Sequence, residues 1–450
     1  MKVLVVRPKA ANTLGYLNVV DTEPLELEYL YTVLHDYGAD AYIYDALLDH
    51  KSLSRVLLDE QPDVICITGY ITQRNLIRKY AAIAKRRIPG IRVIAGGVFA
   101  ELTHAQLYDD NIDYIIHTSS LKTFIEVIRC IDQDRETAIP AIKGICYRQT
   151  DGNWQKNENV IADINDLPIP DRSYFYRTMD RYKYLDYKPC ATVKTTYSCP
   201  YSCSFCYCRK LNSGKYSARD MHLVIEEIKS IQCDNIYVVD DDFLFDKSRL
   251  ETFITLVEVN GIRKNFLVYG RADFIANNKP MMMRLKQAGV CLVMVGLESM
   301  VDAELENYNK KSSRAINEAC IRVLRECNIT CMGFLMVDQD ARKSDFAALA
   351  KWMETVDLTY ISVAIHTPLP GSDIYETYRD QFIDTKIQHF DFLHCMLQPK
   401  HMSLRAYYRQ CHKLYRKIFR IAKRKGAYAF LDLQYYRGVF DHFFRTVLKE

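Results

Sequence analysis

The sequence predicts an α/β protein: a Rossmann- or flavodoxin-like N-terminal domain, then a partial TIM-like barrel, then a helical C-terminal region. Three observations carry this. Short β-branched runs alternate with longer amphipathic stretches, the alternation is interrupted once by a proline-punctuated connector and then resumes, and the last part of the chain has helical periodicity without strands. At 450 residues the chain is too long for one typical domain, and its 49% hydrophobic content is enough for more than one core.

The elements follow in order. "KVLVV", "AYIY", "DVICITG", "IRVIAGG" and "DYIIH" read as strands separated by segments of helical length, which implies right-handed βαβ crossovers and a doubly wound sheet over residues 1–140. In "PLELEYLYTVLHDYG", Pro24 and Gly38 are the start and stop signals of the first helix. Residues 141–185 contain a hairpin turning at Asp151-Gly152 and the connector "INDLPIPDRSYF". Over 186–395, "ATVKTTY", "NIYVVDDD", "FLVYGRAD", "VCLVMVGLES", "ITCMGFLMV" and "YISVAIHTPLPG" are six strand candidates alternating with helical stretches. That pattern fits a parallel barrel, whose chemistry sits at the C-terminal strand ends. From 396 to 450 the chain reads as helices broken near Gly426 and Gly438.

Composition narrows the class. Charged residues make up 26% and leave a net charge of +4, so nothing global points to nucleic acid or a disordered tail. The opening "MKVLVVRPKA" is too short for a secretory signal core, and the 15 cysteines are an odd, scattered set, so reduced thiols and a cytoplasmic location are expected. No run approaches the roughly 18 apolar residues needed to span a bilayer.

The chemistry is concentrated in "CPYSCSFC", which puts Cys199, Cys203 and Cys206 on one loop directly after the first barrel strand. Thiolates without a histidine partner suit a soft metal or an iron-sulfur cluster. A structural zinc wants a fourth ligand, usually from a second paired motif, whereas a cubane cluster held by three cysteines leaves one iron open for a ligand. Cys208 makes a C-x-C with Cys206, but on so tight a loop it reads as a neighbour of the ligands.

CxxxCxxC with an aromatic before its last cysteine resembles the signature of the radical S-adenosylmethionine (radical SAM) enzymes. The resemblance implies a [4Fe-4S] cluster on Cys199, Cys203 and Cys206. Its open iron chelates S-adenosylmethionine, and reduction releases a 5′-deoxyadenosyl radical. It also implies that Phe205 packs near the adenine. Asp240, Asp241 and Asp242 in "VVDDDF" stand where relatives contact the methionyl ammonium, a role carboxylates fill by accepting from a cationic amine. Arg271 in "YGRAD" is placed to grip the cofactor carboxylate, and Glu298 and Ser299 in "VGLES" to contact methionine or ribose. The fifth strand reads "GFLMVDQDARKSD" in place of the usual G-x-P-x-E turn, so no adenine contact carries over from it. No catalytic residue beyond the cluster is assigned.

"TPLPGSDIYE" and the connector "DLPIPDRS" resemble the branch with an N-terminal cobalamin-binding domain, over about residues 1–390. Open α/β sheets bind ligands outside their C-terminal strand ends. Gly69, Tyr70, Gly96 and Gly97 lie at such ends and are the implied cobalamin contacts. No D-x-H-x-x-G pattern occurs, so cobalamin is expected without a histidine below the cobalt.

The leading expectation is cobalamin-dependent C-methylation of an unactivated carbon. The alternative is a non-methylating radical cyclase, dehydratase or rearrangement enzyme. RNA methylthiotransfer would need a second cluster, and Cys66, Cys130 and Cys146 are far apart for that. Expected partners are a small-molecule or lipid substrate and an external electron donor such as flavodoxin or ferredoxin, with nucleic acid unlikely. Arg405, Arg409, Lys413, Lys417, Arg420 and Arg424 follow near i, i+4 spacing, and such a helix fits peripheral contact with an anionic membrane.

Overall fold

The computed structural model describes residues 1–9 and 19–448. Its first sheet has five parallel strands in the order Asp40–Asp45, Lys2–Arg7, Val64–Thr68, Arg92–Gly96 and Tyr114–Ile116. This is the flavodoxin-like order, in which the chain reverses direction of build between Lys2–Arg7 and Val64–Thr68 and opens a crevice at the strand ends. The strands are covered on both faces: Leu4 and Val6 pack into one core cluster and Val3 and Val5 into another. That split follows from the two-residue period of a strand and explains why "KVLVV" is uninterruptedly apolar. The first helix, Leu25–Tyr37, ends at Gly38 in the left-handed conformation (φ 88°), as its stop signal predicts. The hairpin strands Ile145–Arg148 and Trp154–Lys156 extend this sheet antiparallel beyond Tyr114–Ile116, with Gly152 at φ 87° in the turn.

The second sheet has six parallel strands in sequential order: Cys190–Val193, Asn235–Val238, Asn265–Gly270, Val290–Glu298, Thr330–Val337 and Tyr360–Ile365. The first and last strands do not pair, so the barrel is open. Helices including Met221–Ser230, Lys247–Val259, Arg314–Glu326 and Lys343–Thr355 cover its outside. Inside, Tyr184, Leu267, Leu292, Met294 and Met332 form a separate apolar plug. The register of Val290–Glu298 against Thr330–Val337 shifts between Gly296 and Glu298, and Glu298 takes φ 58°. Such an irregularity re-aims the side chain at the strand end.

Helix Leu404–Lys425 is capped by Ser403 and stops at Gly426, as expected. The expected break at Gly438 is absent: Leu433–Val447 is one continuous helix. Burial of Phe443 and Phe444 and stacking of Tyr415 on Phe440 at 4.7 Å hold it across the glycine. The basic face also differs from the simple i, i+4 row. Lys417 and Arg424 both meet Glu354, while Arg405, Arg409, Lys413, Arg416, Arg420 and Lys423 are exposed and unpaired among the described residues. No helix is long and apolar enough to cross a membrane among the described residues.

Candidate active site

The C-terminal strand ends of both sheets border one cavity of about 750 Å³. The first sheet contributes Gly69, Tyr70, Gly96 and Gly97, and the barrel contributes the cysteine loop with Asp240, Asp241, Asp242, Arg271 and Glu298.

The cysteine loop leaves strand Cys190–Val193 through a short antiparallel pairing of Thr196–Tyr197 with Ser217–Ala218. It is pinned to the loop after the fourth barrel strand: Asn309 Nδ2 donates to the Ser202 carbonyl at 2.7 Å and the Ser204 amide to the Tyr308 carbonyl at 3.0 Å. Arg271 Nη1 stands 3.8 Å from Cys203 Sγ, and the Cys208 amide donates to Cys206 Sγ at 3.4 Å. Contact with Cys208 holds the Cys206 thiol below its ordinary range, while burial pushes Cys199 up to about 12. N–H donors aimed at sulfur stabilise metal-bound thiolates and tune a cluster's potential. No three His, Cys, Asp or Glu side chains converge as ligands of a single ion among the described residues. A cubane sets each thiolate on its own iron and so does not require that convergence, whereas a zinc site does. Three thiolates on one loop, two of them met by N–H donors, are a donor set that fits a cluster.

The three aspartates differ. Asp240 is buried with both oxygens occupied: it accepts from the Thr195 amide (2.7 Å), the Thr196 amide (2.9 Å) and the Thr195 hydroxyl, and so anchors the approach to the cysteine loop. Asp241 borders the cavity, half-buried. Asp242 uses Oδ1 to accept from the Leu244 amide at 3.0 Å, but its Oδ2 is buried without a partner. Burial raises its pKa to about 7. An orphaned, desolvated carboxylate oxygen on the cavity wall fits a cationic amine of a ligand.

Arg271 lies 3.9 Å over the Tyr201 ring, donates from Nε to Asp273 at 2.9 Å, and hydrogen-bonds the Lys310 carbonyl. Lys310 pairs with Glu298 at 2.8 Å, both side chains being buried. Although burial disfavours its charge, the Glu298 carboxylate holds the Lys310 ammonium above its usual range. Phe205 packs edge-on against Tyr308 at 5.6 Å between centroids. Ser299 is the exception among the expected contacts. Its hydroxyl donates to Glu304 at 2.5 Å and accepts from the Val301 amide at 3.0 Å, so it is tied to the segment that follows and does not border the cavity.

Two cavity residues lacked any signal in the sequence. Lys310 sits in "YNKKSS" beside Lys311, which is exposed, and nothing local separates the two lysines. Tyr201 is one tyrosine among 32.

On the opposite wall, Gly97 has φ 87° and a Cβ there would lie 2.3 Å from Thr68 Oγ1. Only glycine lets these two strand ends close up. Tyr70 is 56% exposed although it lies on the cavity wall, held by the Gln73 side chain accepting from its amide at 2.9 Å. A bare aromatic face above a glycine-built cradle suits a large flat ligand, and these residues fit cobalamin.

Fold and site together define an α/β enzyme in which a cobalamin-type sheet faces a cysteine-bearing open barrel. Residues 19–128 match the family model of the B12 binding domain and residues 193–353 that of the radical SAM superfamily. Hopanoid C-3 methylase of Methylococcus capsulatus is 25% identical, over 100% of this chain and 87% of that protein. Among solved structures, the cobalamin-dependent S-adenosylmethionine radical enzyme OxsB, with aqua-cobalamin and S-adenosylmethionine bound, matches with TM-score 0.73 at 15% identity. The match covers 92% of this chain and 66% of OxsB, so the chain spans just under two thirds of that protein. The radical S-adenosylmethionine methyltransferase TsrM from Kitasatospora setae matches with TM-score 0.67 at 17% identity, over 84% of this chain and 78% of TsrM. The likeness to these two structures is one of fold.

Proposed function

We propose that the protein is a cobalamin-dependent radical SAM methyltransferase acting on an unactivated carbon. The observation that carries this is the single cavity walled by the cysteine loop on one side and the Gly69-Tyr70 and Gly96-Gly97 turns on the other. The methylase and methyltransferase relatives support it. When bound, the cluster and S-adenosylmethionine supply a hydrogen-abstracting radical and cobalamin carries the methyl group. Cys199, Cys203 and Cys206 would hold the cluster, Asp242 would take the ammonium of S-adenosylmethionine, and Arg271, flattened on Tyr201, would meet its carboxylate. Gly97 would keep the two strand ends closed up beside the corrin, and Tyr70 would present its ring to it. The two sheets exclude water from the space between.

Anaerobic reconstitution tests this. About four iron per chain is expected, together with cobalt in stoichiometric amount and a product that gains one methylene unit. Iron and 5′-deoxyadenosine without cobalt uptake or mass gain would discard methyl transfer and leave the non-methylating alternative.

The reaction needs a one-electron donor, for which a flavodoxin or ferredoxin is the chemical fit, and a small-molecule or lipid substrate. All the cysteines are free, which supports a reducing compartment such as the cytoplasm. The unpaired cations of helix Leu404–Lys425 support contact with an anionic membrane surface, where each contributes about 1 kcal/mol. Co-sedimentation with phosphatidylglycerol vesicles should fall sharply in the combined Arg409→Gln, Lys413→Gln, Arg420→Gln variant, and equal sedimentation would remove the membrane reading.

A further inference from the structure

Between the two domains lies a buried ionic network that belongs to neither cofactor wall alone. Arg172, in the connector, donates from Nε to Glu23 Oε1 at 2.9 Å and from Nη2 to Glu227 Oε1 at 2.7 Å and the Thr192 carbonyl at 2.8 Å. The second oxygen of Glu23 accepts from the Thr192 amide and, at 2.8 Å, from its hydroxyl. Arg219 pairs with the other oxygen of Glu227 and donates to the Leu167 carbonyl at 3.2 Å. Glu28 accepts from the Phe175 amide at 3.2 Å. Arg172, Arg219, Glu23, Glu28 and Glu227 are all almost fully buried.

The network has a definite direction. Glu23 precedes Pro24, the N-cap of the helix Leu25–Tyr37 of the first domain, Glu227 lies on the barrel helix Met221–Ser230, and Thr192 lies on the strand that runs into the cysteine loop. Glu23 and Thr192 themselves border the cavity. Burial and the neighbouring Glu23 carboxylate push the Glu28 carboxyl well above its usual range. Taking such groups out of water costs about as much as their attraction returns. What a planar guanidinium bridging two carboxylates does impose is a fixed geometry on its partners.

We propose that Arg172 is a positioning residue that fixes the separation and angle between the corrin-facing turns of the first domain and the cysteine loop of the barrel. The proposal rests on the reading that this cavity holds both cofactors, and its test separates the two. Arg172→Met removes the network's hub, Arg172→Lys keeps the charge but loses the fork, and Thr192→Val loses only the hydroxyl to Glu23 and serves if Arg172→Met fails to fold. Each variant is loaded with cluster and cobalamin, its iron and cobalt contents are measured, and the distance between cob(II)alamin and the reduced cluster is read by pulsed electron paramagnetic resonance. The expected result is wild-type metal content with a broadened or displaced distance distribution, largest in Arg172→Met and smaller in Arg172→Lys. A merely structural residue would lower metal content or folded fraction and leave the distance in the loaded molecules unchanged.

Hydrogen exchange on the protein without cofactors gives an independent reading. Amides of Cys190–Val193 and of the start of Leu25–Tyr37 should exchange about tenfold faster in Arg172→Met, with the far barrel strands unaffected. Wild-type distance distributions in both Arg172 variants, or unchanged exchange, would overturn the proposal. A wild-type protein that takes up iron but no cobalt would overturn the methyl-transfer reading, and exchange alone would then decide the role of Arg172.

Discussion

Asp242 offers a titration within the physiological range. Its carboxyl is raised to about 7 by burial, and only the ionised form offers an ammonium a charged acceptor on its free oxygen. Binding of a cationic amine therefore competes with the proton, and the affinity for S-adenosylmethionine should rise from about pH 6 to about pH 8 and level off above. Equilibrium dialysis on cluster-loaded protein measures this. Asp242→Asn should bind about tenfold more weakly and without the slope; a slope that survives in the variant sinks the assignment. Local sequence showed that an acidic strand end faces the site, but not the division of labour within it. Asp240 and Asp242 flank the same residue, Asp241, and have opposite fates, because Thr195 and Thr196 fold back onto one and not the other. Lys310 was unreadable for the same reason: its partner Glu298 is brought to it by a strand irregularity, not by spacing.

Periodicity is a property of single strands and helices, and at that scale the sequence was most informative. All six barrel strands and the five parallel strands of the first sheet lie where short β-branched runs and the stretches between them placed them. Helix ends marked by a local stereochemical need, Gly38 and Gly426, were equally plain. Gly438 was misread because its helix is held by residues of another element, Tyr415 above all. That contrast predicts opposite substitution effects. A Cβ at Gly438 meets nothing within 4 Å, so Gly438→Ala should raise stability by about 0.5–1 kcal/mol in a denaturant titration. At Gly97 the same change drives a methyl into Thr68, so Gly97→Ala should lose stability by about 1–3 kcal/mol and weaken cobalamin uptake. Equal effects at the two glycines would refute the argument.

For the whole molecule, the decisive fact is that both sheets aim their C-terminal edges at one space. A ligand seated there touches both domains, so aqua-cobalamin at a hundredfold excess over its dissociation constant should stabilise the chain by about 2.7 kcal/mol. Calorimetry should show one transition moving upward; a first-domain transition that shifts alone would mean that the wall is not shared. None of this was legible from patterns along the chain, since Arg172 and Glu23 are 149 positions apart and their pairing depends on how two finished sheets dock.

The same docking sets a rule for recombination. A chimera joined at the connector inherits half a cavity from each parent and, with it, half of a charge set. To keep the buried ion pairs matched, a graft of the first domain must carry Glu23 together with a barrel that supplies Arg219 and Glu227 and a junction that supplies Arg172. Exchange of these halves as independent cassettes leaves an unmatched buried charge at the seam.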